Sequence, residues 1–140
     1  MMKNFKRHVI RYYRDTRAAI VILFAVMAPV IVGSAGMALD FAQAYLVQQR
    51  LGQAIDAAAL AAAAHSSDPA AIQSKVKQFF DVNYPEDALG VTFEPVVLVD
   101  GNLVTVTGRA SYNTFFLNVI GIDNIDLEAE TIVQREVKGL

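Results

Sequence analysis

The alternation of apolar and polar positions changes character twice along this chain. From Ala18 to Leu39 (AAIVILFAVMAPVIVGSAGMAL) the run is apolar and carries no charge. A helix rises about 1.5 Å per residue, so it needs about 20 residues to cross a hydrocarbon core roughly 30 Å thick. The run meets that length. Pro29, Gly33 and Gly36 do not argue against it, because membrane helices accommodate both residue types where neighbours satisfy the backbone. A soluble helix is rarely apolar around its whole circumference over such a length. A cleaved signal peptide is the sharper rival, with Gly36-Met37-Ala38 as a passable cleavage site, but its apolar core would span only about 7–15 residues.

Beyond Asp40 the pattern becomes amphipathic. Val47, Leu51, Ala54, Ile55, Ala58 and Ala62 recur at helical spacing on one face, with Gln49, Gln53 and Asp56 on another. Gly52 alone interrupts helix propensity, at about 1 kcal/mol relative to Ala. The spacing predicts that the membrane helix continues to Ala64, about 70 Å from Ala18 if unbroken. Its apolar face either caps the chain's own domain or docks another helix. Gly33, Gly36 and Asp40 share one face, where small residues allow helices to approach closely in lipid. Asp40 stands at the outer boundary, within reach of water. Gly33, Gly36, Asp40 and Asp56 are the candidate partner-contact residues.

His65 to Pro69 reads as a linker and a helix start, with Ser67 or Asp68 as the cap and Pro69 at the first helical position. Ile72, Val76, Phe79 and Phe80 then mark one face of a short helix ending near Asn83, closed by Tyr84-Pro85. From Leu89 the period is two. Val91, Phe93, Val97 and Val99 alternate with Thr92, Glu94 and Leu98, and Pro95 marks an edge or a bulge. Asp100-Gly101 signals a hairpin. Val104, Val106, Gly108 and Ala110 alternate with Thr105, Thr107 and Arg109. A third strand is expected from Ile125 to about Val137, with Leu127, Ala129, Thr131 and Val133 on one face and Asp126, Glu128 and Glu130 on the other. The predicted class is α+β: a long N-terminal transmembrane helix continuing outside the membrane, a second short helix and a small antiparallel three-stranded sheet, in the outline of a pilin. The expected divisions are a basic flank at 1–17, a span at 18–39, a helical extension at 40–64 and a small α+β domain at 65–140.

Charge sets the orientation. Lys3, Lys6, Arg7, Arg11, Arg14 and Arg17 against Asp15 give the first 17 residues a net +5, and the whole chain carries −2, which leaves −7 beyond the flank. Positive flanks stay in the cytoplasm, so the N-terminus is expected inside and the acidic remainder outside. Tyr12 and Tyr13 suit the headgroup layer. Six bases beside a span need no nucleic acid to account for them.

Little in the sequence points to catalysis or a cofactor. The chain has no cysteine and two histidines, which excludes disulfides and thiolate zinc sites. His8 falls in the basic flank and His65 in a polar linker. Asp123, Asp126, Glu128 and Glu130 form an acidic group, but calcium takes about six to eight oxygens from a loop that wraps it, and strand carboxylates on one face do not wrap. Gly-x-Ser-x-Gly, HExxH and a Gly-rich phosphate loop are absent. No enzyme, metal, cofactor or small-molecule substrate is expected.

The order of elements carries a resemblance. An Arg-rich flank precedes AAIVILFAVMAPVIVG, then Gly36-Met37-Ala38-Leu39-Asp40, Tyr45-Leu46-Val47, Leu51 and Gln53-Ala54-Ile55-Asp56 with the alanine run to Ala63. Together these resemble the N-terminal region of TadG-like proteins, in the TadE/TadG-like group of tight-adherence (Tad, Flp) pilus assembly. Thr114 to Asp126, TFFLNVIGIDNID, resembles the aromatic-then-Gly-Ile-Asp passage of the same group. The resemblance implies a bacterial single-pass inner-membrane protein with a periplasmic domain. Its expected partners are other pilus-assembly or pilus subunits, or a second copy of the chain. A minor pilin or pseudopilin is an alternative, as is a secreted periplasmic binding protein behind a cleaved signal peptide. Two departures from the group matter. These 140 residues leave no room for the large domain, often of von Willebrand A type, of longer TadG-like proteins. A prepilin peptidase site also needs a Glu shortly after the cut, where Ile22-Leu23 stand, so that processing is not expected.

Overall fold

The computed structural model describes residues 16–65, 68–84 and 89–135. The basic flank, Tyr12, Tyr13 and the end of the expected last strand lie outside the described residues. The chain forms two compact units, Met1–Ala38 and Leu39–Leu140. Helix α1, Thr16–His65, contains Pro29 and supplies residues to both.

Among the described residues of the first unit, most of the large apolar side chains of α1 are uncovered. Ile20 to Phe24, Val26 and Val30 to Val32 are all exposed. By length and composition α1 is the one helix among the described residues able to cross a membrane, and none of its most apolar window is buried. Ser34 does not offset this apolarity, because its hydroxyl donates to the Val30 carbonyl one turn back at 2.7 Å.

The second unit is a two-layer α+β fold. Helix α2 spans Pro69–Asn83. The strands are β1 Val91–Thr92, β2 Val96–Asp100, β3 Leu103–Asn113 and β4 Asn124–Gln134. All pair antiparallel with β3: β4 along one edge, β1 and β2 end to end along the other. Asp68, one of the two expected caps, starts α2. Its carboxylate accepts from the Ala70 N–H at 3.4 Å, and its carbonyl accepts the Ile72 N–H at 2.9 Å.

One face of the sheet is covered and the other is open. Val104, Val106 and Ala110 on β3 join Val47, Leu51, Ala54, Ile55, Ala58, Ala59 and Ala62 of α1 and Ile72, Val76 and Phe80 of α2 in a single core. The amphipathic stripe of α1 is therefore occupied by the chain's own domain. Gly108 makes this packing possible: a Cβ there would stand 2.4 Å from Ile55 Cδ1 and 3.2 Å from Leu51 Cδ1. Each buried Leu, Ile, Val or Phe contributes about 1.5–3 kcal/mol. The alanines contribute less individually, but they let the helix backbone come close to the sheet.

The first strand departs from the sequence pattern. Thr92 faces Ala110, but Val96 faces Thr107, so Phe93 to Pro95 oppose only Gly108 and Arg109. The Phe93 N–H still bonds the Arg109 carbonyl at 3.0 Å, which confines the extra residue to Glu94-Pro95. This is a β-bulge. It splits the expected strand in two and reverses the alternation: Val97 and Val99 pack on the core, whereas Val91 and Phe93 are exposed. A single inserted residue sends every later side chain to the opposite face. Pro95 is buried, and its carbonyl accepts from Gln73 Nε2 of α2 at 3.2 Å. The turn to β3 puts Gly101 (φ 58°) at the first central position, where a two-residue hairpin of the II′ kind needs a left-handed residue. β4 runs from Asn124 and presents Leu127, Ala129 and Val133 to the core as expected.

Candidate functional site

The first charge after the apolar run accepts four hydrogen bonds from the described residues of the second unit. Asp40 is only 2% exposed. Its Oδ1 accepts the Phe115 N–H at 2.9 Å and the Tyr112 hydroxyl at 3.4 Å. Its Oδ2 accepts the N–H groups of Phe116 and Leu117, both at 2.7 Å. These amides lead into a short 3-10 helix, Leu117–Ile120. N–H groups at the start of a helix have no partner within it, so Asp40 caps that helix from α1, more than seventy positions away in sequence. Burial acts to raise the carboxyl's pKa. The three backbone N–H groups and the Tyr112 hydroxyl outweigh it and hold Asp40 below the usual aspartate range. Tyr112 moves the other way, pushed up by burial, by the Asp40 charge and by the hydrogen bond it donates.

The capped segment is closed on itself. The Thr114 N–H bonds the Asp123 carbonyl at 3.0 Å, and the Ile122 N–H bonds the Leu117 carbonyl at 3.1 Å. The Val119 and Gly121 N–H groups bond the carbonyls of Phe116 and Asn118 at 3.2 and 3.0 Å. The Thr114 hydroxyl donates to the Ile122 carbonyl, and Asn118 Nδ2 donates to Asp123 at 2.8 Å. Gly121, at φ 88°, makes the reversal that ends the 3-10 helix. Leu117 is buried beneath the loop, while Phe115, Val119, Ile120 and Ile122 are exposed.

The four candidate contact residues do not form one site. Asp40 is saturated within its own chain. Asp56 is exposed on the polar side of α1. Gly33 is half-buried, and a Cβ added there would meet nothing within 4 Å. Gly36 is buried. Of the acidic group, Asp123 lies in the loop before β4, while Asp126, Glu128 and Glu130 share the open face of the sheet: Asp126 accepts from the Ser111 hydroxyl at 2.8 Å, and Glu128 lies 3.9 Å from Arg109 Nε. Among the described residues no group of three or more His, Asp or Glu side chains is arranged to hold a metal. A polar groove of about 470 Å³ lies beside α2, lined by Lys77, Asp81, Tyr84, Thr92 and Glu94 among others. Its Lys77 and Asp81 pair with each other at 3.5 Å on the solvent side.

The coupling of Asp40 to residues 115–117 is hidden in the sequence. Asp40 belongs to the Gly36-x-Ala38-x-Asp40 element and the loop to TFFLNVIGIDNID, and no spacing rule joins them. The only signal is that a lone acid ends an apolar run while an aperiodic apolar segment lies far downstream.

Residues 18–65 match the family model Tad, described as Flp pilus-assembly TadE/G-like. No curated protein and no solved structure matches the chain. The matched stretch covers the apolar run, the Asp40 element and the helical stripe that closes the core. Over residues 18–65, about a third of its length, the chain is similar to that TadE/G-like family.

Proposed function

We propose that this chain is a single-pass membrane component of a Tad/Flp-type pilus assembly or secretion apparatus, and that it acts by protein contacts rather than catalysis. The observation that carries the reading is the coincidence of the family match with a helix whose apolar N-terminal half is uncovered. The charge distribution supports a cytoplasmic N-terminus and a periplasmic second unit. The amphipathic stripe of α1 is already filled by the sheet, so docking falls to the span, where the open space at Gly33 admits another helix closely. That helix belongs to another pilus-assembly component or to a second copy of the chain. Asp56, exposed on the extension, is available to a periplasmic partner.

Changing Gly33 to Leu tests the docking, since a side chain there meets nothing of the chain's own within 4 Å whereas Gly36 is already buried. The expected outcome is loss of pilus assembly with the chain still present in the membrane at its normal level. Unimpaired assembly would refute the docking. Recovery of the chain from sheared, purified filaments would favour a minor pilin over a membrane-resident component.

A further inference from the structure

The loop capped by Asp40 carries exposed apolar side chains that neither the family match nor the core accounts for. Phe115 is 77% exposed, Val119 84% and Ile120 62%, and Ile122 is also exposed. No charged residue occurs from Ser111 to Ile122.

The position of this loop relative to a bilayer follows from one contact. If Ala18–Leu39 spans the membrane, as the proposed function holds, Asp40 is the first charge beyond it and marks the level at which water begins. Its carboxylate touches the amides of Phe115, Phe116 and Leu117. The start of the loop therefore lies within one hydrogen bond of that level, whatever the tilt of the helix. Leu39 and Phe41, on either side of Asp40 in sequence, are exposed as well.

The backbone of the loop suits an apolar medium. Non-helical chain entering lipid is costly because its N–H and C=O groups lose water. Here the N–H groups of Thr114, Phe115, Phe116, Leu117, Val119, Gly121 and Ile122 all have partners within the domain. The apolar side chains thus project from an internally bonded turn.

We propose that residues 115–122 form a second membrane contact, seating Phe115, Val119, Ile120 and Ile122 in the interfacial layer of the leaflet that the span leaves at Leu39. The contact is apolar and needs no anionic lipid, since the loop carries no base. It fixes the second unit at the bilayer surface by two points instead of one.

The chain contains no tryptophan, so a single introduced indole reports its own surroundings. The full chain is reconstituted in phosphatidylcholine vesicles, with or without lipid brominated in the upper acyl chain. Four variants are compared: Val119→Trp and Phe115→Trp in the loop, Phe24→Trp in the span, and Leu98→Trp on the open sheet face. The proposal expects blue-shifted emission quenched by brominated lipid for Phe24→Trp and for at least one loop variant. Red, unquenched emission is expected for Leu98→Trp. Adding Asp40→Asn to the loop variant should reduce the quenching, because the cap that holds the loop at this level is weakened. Quenching at position 24 with neither loop position quenched overturns the loop contact and leaves the span intact. Blue-shifted loop emission without bromine quenching also overturns it and assigns the patch to a protein surface. Absence of quenching at position 24 removes the span itself, and the loop contact falls with it.

Discussion

Replacing Gly108 with Ala tests whether α1 rests directly on the sheet. The new methyl would stand 2.4 Å from Ile55 Cδ1, 2.6 Å from Ile55 Cγ1 and 3.2 Å from Leu51 Cδ1. Carbon atoms pack best at about 3.5–4.0 Å, so the closest overlap is about 1 Å. Rotation about χ2 of Ile55 moves Cδ1 but leaves Cγ1 in place, and χ1 of a β-branched residue in a helix is held in one well. Helix and strand must therefore separate locally. Overpacking of this kind costs about 1–3 kcal/mol. In a domain of about 100 residues each kcal/mol lowers the melting temperature by about 4–8 °C. Ile55→Ala removes both crowding atoms and alone costs about 2–5 kcal/mol through the cavity it leaves. In the double variant the methyl introduced at position 108 occupies part of that cavity, so the two costs should fall short of their sum by about 0.5–3 kcal/mol. Thermal unfolding of the detergent-solubilised chain, followed by the near-ultraviolet circular dichroism of its tyrosines, measures all three variants. A neutral or stabilising Gly108→Ala, or strict additivity with Ile55→Ala, would refute the packing described.

The bulge makes a register prediction: Val97→Lys, on the core side of β2, should destabilise by more than about 2 kcal/mol, whereas Leu98→Lys on the open face should stay within about 0.5 kcal/mol. Equal effects in thermal unfolding would place the extra residue elsewhere. Asp40→Ala should accelerate hydrogen exchange at the amides of Phe115, Phe116 and Leu117, while the amides of β3 paired with β4 keep their protection; unchanged rates at the three amides would contradict the cap. Because Asp40 is held below its ordinary value of 3.8, its contribution is present above that pH and is lost as pH falls through the lower folded value. The acid limb of the unfolding profile should therefore flatten in Asp40→Asn, and an identical limb would argue against the shift. Tyr112 is raised above its ordinary value of 10.0, so its contribution is complete below that pH and is lost as pH rises through the folded value; Tyr112→Phe should remove this alkaline loss, which difference spectroscopy of tyrosine ionisation can follow.

Most of the second unit is legible in the sequence because burial and period agree there. The stripe from Val47 to Ala62 and the alternations of β3 and β4 each bury one face, and that requirement writes itself into residue order. The first strand is not legible beyond Pro95, because periodicity counts residues without seeing the partner strand. The extra position at Glu94-Pro95 is defined only by what it faces, Gly108. In the sequence Gly108 reads as one more small inward residue, yet its role depends on Ile55 of a distant helix. Asp40 is legible as a boundary marker but not as a cap, since the amides it binds are set by the tertiary path of residues 113–123. The extension's apolar face, open in the sequence to two uses, goes to the domain's own core. A Cβ at Gly33 would meet nothing within 4 Å, and the docking proposed there leaves no mark in an isolated chain.

We propose that the chain keeps an uncleaved membrane anchor joined to a folded domain outside the membrane. The intact mass of the chain extracted from native membranes tests it most directly. A membrane-bound species near 15.2 kDa, retaining residues 18–39, is the expected result. A soluble species beginning near Leu39 would make the apolar run a removed signal peptide and would contradict the account.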